Sequence, residues 1–213
     1  MAHSIARKAA KAMSRNGYGV VVLLVLMTAG CALVNDNLRV VEHEELWRSA
    51  QMSPERLAYT IEKHNIKTVI SLRGVNESES WYRDEVAICE ELGVTRHDLP
   101  WTMRRIPEPQ SLQQLMAWFE TAEKPILVHC QAGIHRAGVA SASYKLYKGA
   151  DVETARDQFG LYFGGAPIGN LLDLYEGSGK LFSEWVRTDY PVVYATRLAE
   201  AEMQSEAGKD ASP

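Results

Sequence analysis

The chain has few cysteines, no surplus of positive charge in its main body and no clustered histidines, and each scarcity excludes a class of protein. Three cysteines in 213 residues, at positions 31, 89 and 130, cannot form a disulfide framework, so the fold must rest on a packed core. The six histidines (His3, His43, His64, His97, His129, His135) show no ligand spacing such as His-Glu-x-x-His. No metal is expected, and no cofactor. Of 23 basic residues, Arg7, Lys8, Lys11 and Arg15 precede residue 35 with no acid beside them, which leaves 19 basic against 27 acidic side chains beyond. So acidic a body excludes a nucleic-acid partner and confines anion recognition to a local site. There is no internal repeat and no low-complexity block, and a hydrophobic content of 46% suffices for one sizeable core.

What is present is concentrated in the stretch Val128-His129-Cys130-Gln131-Ala132-Gly133-Ile134-His135-Arg136-Ala137-Gly138. Residues 126–128 read as a short buried strand and residues 136–147 as a helix, so the backbone between them must turn sharply with several N–H groups pointing inward. Such a turn is a nest for an anion, with Gln131, Ala132, Gly133, Ile134 and His135 as its wall. The field of those amides, of the helix N-terminus and of Arg136 favours thiolate over thiol at Cys130, which makes it a nucleophile at neutral pH. Arg136, as a planar fork, suits two oxygens of a phosphoryl group.

These residues resemble the signature His-Cys-x-x-Gly-x-x-Arg-(Ser/Thr) of the cysteine-based phosphatase superfamily, which includes tyrosine, dual-specificity and inositol-phosphate phosphatases. Only the last position departs, with Ala137 where that family has a hydroxyl. The resemblance implies a cysteinyl-phosphate intermediate whose hydrolysis is slowed here. It also implies a general acid on a separate loop about thirty residues before the cysteine, and Asp98 lies 32 residues before Cys130, at the head of a loop running through Pro107 and Pro109. That loop is expected to close over bound phosphate. His135 is a second candidate for the acid, because one branch of the superfamily carries an acidic residue there; its expected role is shape and mild positive charge at the pocket wall. His129 is expected to hydrogen-bond loop backbone and orient it. The order Trp-Arg-Ser-Ala-Gln, helix, Val-Ile-Ser-Leu-Arg resembles the opening of bacterial and fungal atypical dual-specificity-like phosphatases, which implies that Arg73 braces the active-site end of the sheet; a salt bridge to Glu77 or Glu79 is the alternative.

Elements alternate along the chain. Strands are expected at 46–51 (an early edge strand), 67–72, 94–99 and 125–129, after a short lead-in at 35–43. Helices are expected from Ser53-Pro54 to about His64 and over 81–92, 111–122, 136–147, 152–162 and 171–185, with a flexible turn at 163–169. This predicts an α/β fold, a mostly parallel four- to five-stranded sheet flanked by helices, with residues 35–190 as the phosphatase domain and 191–213 as an extension with a frayed end. Cys130 and Asp98 then both lie at strand ends, on one edge of the sheet. Cys89, within a helix, reads as a small core hydrophobe. Arg104 and Arg105 read equally as a flank of the pocket or as a solvated loop tip.

Gly17 to Val34 is a run of eighteen uncharged residues behind the basic N-terminus. This predicts membrane attachment with the catalytic domain exported to a bacterial periplasm or cell envelope. Thr28-Ala29-Gly30-Cys31 resembles a bacterial lipobox with Thr28 in place of the usual Leu, so a lipid on Cys31 and a single span both fit. The expected activity is phosphomonoester hydrolysis, of protein tyrosine or dual-specificity type, on a phosphorylated protein or a small phosphomonoester. Three other readings stand beside it. One is a phosphate-binding pseudophosphatase scaffold, motivated by Ala137. Another is an inositol-phosphate or phosphoinositide phosphatase, disfavoured because residues 131–134 carry no lysine. The third is a rhodanese-like sulfurtransferase, which the five-residue interval to Arg136 fits less well.

Overall fold

Two strands are apolar toward both faces, as a parallel sheet covered on each side requires: β3 (Thr68–Ser71) and β5 (Ile126–His129) are buried along their whole length. The computed structural model describes residues 36–210, and the sheet lies in the body that begins at Leu38. With β1 (Arg39–Glu42), β2 (Leu46–Ser49) and β4 (Thr95–Asp98) the sheet has five strands in the order β1-β2-β5-β3-β4. β1 runs antiparallel to β2, and the other three pairings are parallel. The α/β fold and the parallel sheet agree with the sequence; the placing of the edge does not. β2 is interior, bonded to β1 and β5, and the edge is β1, from the segment read as a lead-in. β2 has a hydrogen-bonded strand on each side, and its Leu46 and Arg48 are covered, whereas Arg39 and Val40 of β1 are exposed.

The period-2 alternation of the strands sorts the core into two clusters. Val69 and Leu127 face α1 (Pro54–His64) and α2 (Ser80–Glu91), meeting Leu57, Ile61 and Cys89. Ile70, Ile126 and Val128 face the other way, toward α3 (Pro109–Thr121) and α4 (His135–Tyr147), meeting Leu112, Phe119, Val139 and Tyr144. α1 begins where its capping chemistry says: the Ser53 hydroxyl accepts from the Arg56 amide (3.4 Å), Pro54 follows, and Asn65 ends it in the left-handed region.

Past α4 the helices are shorter than apolar patterning suggested. The helix expected over 152–162 is α5 (Val152–Arg156), and the one expected over 171–185 is two, α6 (Asn170–Tyr175) and α7 (Phe182–Thr188). Gly177 and Gly179, both at positive φ, turn the chain between them. The 163–169 segment is not a plain turn but includes two 3-10 turns, Leu161–Phe163 and Pro167–Gly169, around Gly164 and Gly165 at positive φ. α8 (Tyr190–Asp210) begins in the core at Tyr190 and continues into the segment expected as the extension. The membrane anchor, the lipid-bearing Cys31 and the exported topology read from residues 1–34 lie outside the described residues. No helix among the described residues is long and apolar enough to cross a membrane.

Candidate active site

The loop after β5 is shaped by the end of β2. The Cys130 amide donates to the Ser49 carbonyl (3.4 Å), and the Gln51 amide donates to the Gln131 carbonyl (3.3 Å). Gly133 lies between these contacts at φ +67, where a Cβ would stand 2.6 Å from the Ala50 nitrogen and from the Ser49 carbonyl carbon. Only glycine fits against that backbone. The chain then enters α4 at His135, so Arg136 occupies the first helical turn, and residues 130–134 form the connection between β5 and α4.

Arg136 is held by two neighbouring strand exits. Its Nη1 donates to the Leu72 carbonyl, just past β3 (3.1 Å), and to the Trp101 carbonyl, past β4 (3.4 Å). These two bonds fix the plane of the guanidinium. Cys130 is buried, and two arginines lie close enough to feel its charge. One is Arg48 of β2, whose guanidinium donates to the Gln158 carbonyl; burial and the charge of Arg39 pull its pKa down to about 10. The other is Arg73, lowered by burial and by the charge of Arg136. Arg73 donates to Gln51 Oε1 (2.9 Å) and lies over the face of Trp81 (3.4 Å to the centroid).

His129 departs from expectation. Its Nε2 lies 3.1 Å from the carboxylate of Glu85 on α2, not on loop backbone. Glu85 is 3% exposed and also accepts from Arg96 Nε (2.9 Å) and from the Gln51 side-chain amide. Burial alone would raise its pKa, but the charges of His129 and Arg96 outweigh that and hold the carboxyl at about 2. Gln51 thus spans the site, with its backbone on the Cys130 loop and its side chain on Glu85 and Arg73. Neither Glu85 nor Gln51 was singled out in the sequence. Glu85 did leave a signal, an acid on the buried stripe Tyr82, Glu85, Cys89 of an otherwise amphipathic helix.

Asp98 ends β4 level with Ser71, which is itself level with His129 across β3. It accepts from Arg96 Nη1 and from the Tyr82 hydroxyl (3.1 Å). The loop beyond is pinned along its length. The Trp101 indole donates to Ser111 Oγ (2.7 Å), the Met103 carbonyl accepts from the Ile168 amide (3.2 Å), and the Pro107 carbonyl accepts from the Tyr190 hydroxyl. Arg104 and Arg105 are both exposed on it, with Arg105 on Glu108 (3.0 Å). Among the described residues no group of His, Cys, Asp and Glu could hold a metal ion.

The same architecture recurs in solved structures. A DUF442 protein from Shewanella putrefaciens CN-32 superposes with a TM-score of 0.52 at 18% identity, over 65% of this chain and 89% of that one. TpbA from P. aeruginosa, in a complex with pTyr, gives 0.50 at 23% identity, over 78% of this chain and 91% of that one. No curated protein matches the chain. The family model described as DSP-PTPase phosphatase fused to NAD+ kinase matches residues 25–168, the span that holds the five strands, the Cys130 loop and Arg136, and the chain therefore belongs to this family of cysteine-based phosphatases.

Proposed function

We propose that the protein is a phosphomonoester hydrolase of the protein tyrosine or dual-specificity kind. The observation that carries the reading is the pairing of Cys130, at the base of a loop only Gly133 can complete, with an Arg136 whose plane is fixed by the Leu72 and Trp101 carbonyls. In this reading the Cys130 thiolate attacks phosphorus in line, the loop from Gln131 to His135 and Arg136 hold the equatorial oxygens, and the ester P–O bond breaks. Water then attacks the cysteinyl phosphate, the S–P bond breaks, and inorganic phosphate leaves. His129 and Arg73 are supporting residues, held through Glu85 and Gln51. Phosphotyrosine is favoured as substrate because the similarly folded TpbA has been crystallised with pTyr. Membrane attachment through residues 1–34 belongs to the same proposal and rests on the uncharged run from Gly17 to Val34.

The test is hydrolysis of p-nitrophenyl phosphate by the full chain beside Cys130→Ser, with a phosphotyrosine peptide and its phosphoserine counterpart as second substrates. Turnover of the parent alone, with phosphate trapped on Cys130, supports the reading; equal rates in both proteins end it. One observation favours a scaffold instead, the wholly buried Ala137 where the family signature has a hydroxyl. For that reading phosphate would bind and no turnover would follow.

A further inference from the structure

We propose that the proton for the leaving oxygen comes from His135 rather than from Asp98. The proposal rests on the phosphatase reading and deepens it by assigning the one role that the site geometry leaves open.

Asp98 is already engaged. Its carboxylate pairs with Arg96 and accepts from the Tyr82 hydroxyl, two contacts that hold Oδ2 against β4 and α2. It also faces the wrong side. Arg96 and Asp98, two apart on β4, share the face on which Glu85 binds both Arg96 and His129. Cys130, one residue after His129, belongs to the opposite cluster with Leu72, Leu99 and Trp101. Beyond Asp98, residues 99–107 contain no carboxyl, and the loop is fastened at Trp101, Met103 and Pro107. Glu108, the next acid, is exposed and paired with Arg105. Glu85 is buried and ionised, and His129 is buried against it. Glu77 and Glu79, past β3, are exposed beyond the Arg73–Trp81 stack. His97 is stacked on Trp118 on α3, 4.2 Å between centroids.

His135 differs from all of these. Between Cys130 and Arg136 it is the one side chain that carries a titratable proton, and it is half-exposed at the rim. Its ring leans on Phe163 (5.5 Å), which is stacked on Phe159 (3.9 Å) and lodged over Gly169, where a Cβ would meet the Phe163 ring at 2.7 Å. An aromatic shelf therefore holds the imidazole beside the anion cradle. Along the chain it lies between Cys130 and Arg136, and one helical turn on, Arg48 Nη1 is 3.7 Å from where a Gly138 Cβ would stand. An imidazole both donates and accepts near neutral pH. As the P–O bond breaks, imidazolium gives its proton to the leaving oxygen. As water attacks the cysteinyl phosphate, the neutral imidazole takes the water's proton, and thiolate and imidazolium are both restored.

The test compares kcat/KM for full-length wild type, His135→Asn, His135→Gln and Asp98→Asn across aryl phosphates from 2,4-dinitrophenyl to phenyl, each with its pH profile. A lost donor steepens the dependence on leaving-group acidity, which a merely structural change would not do. We expect both His135 variants to lose far less on 2,4-dinitrophenyl phosphate than on phenyl phosphate, where they fall by about 10²-fold or more, and to lose the alkaline limb of the profile. Asp98→Asn should shift the series by one common factor with the wild-type slope. Steepening by Asp98→Asn alone would overturn the proposal. So would a wild-type series already steep and unchanged by any variant, which would mean no donor exists. Absence of Cys130-dependent turnover even of 2,4-dinitrophenyl phosphate would instead sink the phosphatase reading itself.

Discussion

At the scale of the residue, the site depends on small side chains as much as on reactive ones. Gly133 has a left-handed conformation and no room for a Cβ, and the obstacle is the backbone of Ser49 and Ala50, which cannot swing aside. Gly133→Ala should cost about 1–3 kcal/mol in a urea titration and remove most phosphatase turnover, since the loop must reshape to fold at all. Wild-type stability with full turnover would show that the loop tolerates another path. Ala137 offers the reverse experiment. If the missing hydroxyl slows hydrolysis of the cysteinyl phosphate, Ala137→Ser should raise kcat severalfold and leave kcat/KM unchanged, with a smaller burst in rapid-quench measurements. A change in kcat/KM instead would place the hydroxyl in the first step. The reactive residues were legible because their spacing is dictated by one anion; their partners were not. Nothing in the linear order tells that His129 finds a carboxylate 44 positions upstream, since that contact depends on how α2 crosses the sheet.

At the scale of the element, the parallel strands and the helices covering them could be read from apolar runs and caps. Ser53-Pro54 marked α1 to the residue, and the buried run through Ile126, Leu127 and Val128 marked β5. Failures fell where pattern and partner part company. β2 looks like an edge because it is short and carries Arg48, yet that arginine is covered, with the Gln158 carbonyl supplying a partner no local pattern reveals. The 171–185 stretch reads as one helix across Glu176-Gly177-Ser178-Gly179-Lys180, a run with no apolar side chain, and the chain turns there with both glycines at positive φ. The exit of β2 proves to be the bed on which the catalytic loop lies, through Ser49, Ala50 and Gln51. Gln51→Ala, which cuts the side-chain links to Glu85 and Arg73 while keeping the backbone bond to Gln131, should lower turnover by about tenfold or more and leave the fold intact by circular dichroism. An unchanged rate would show that backbone contacts alone hold the loop.

At the scale of the whole molecule, acid sensitivity follows from one buried carboxylate. The Glu85 carboxyl is at about 2 in the fold against an ordinary 4.5, so its ionised form favours the native state. That contribution is complete above the unfolded value and drains away as pH falls from about 5 to 2, about 3 kcal/mol in all. Urea midpoints at pH 7 and pH 3 should differ accordingly, and Glu85→Gln should be weaker at pH 7 while losing less between the two. A variant with an undiminished pH slope would assign the acid lability to other carboxylates.

The sheet also divides the two described thiols. Cys130 belongs to the layer of α3 and α4, whereas Cys89 lies in the layer of α1 and α2, its thiol pushed up to about 12 by burial and by the charge of Glu85. No second thiol among the described residues lies on the Cys130 side to capture a sulfenic acid as a reversible bridge. Under peroxide a bridge between Cys130 and Cys89 would have to cross the sheet, so the buried Cys89 cannot serve as the partner that rescues an oxidised Cys130.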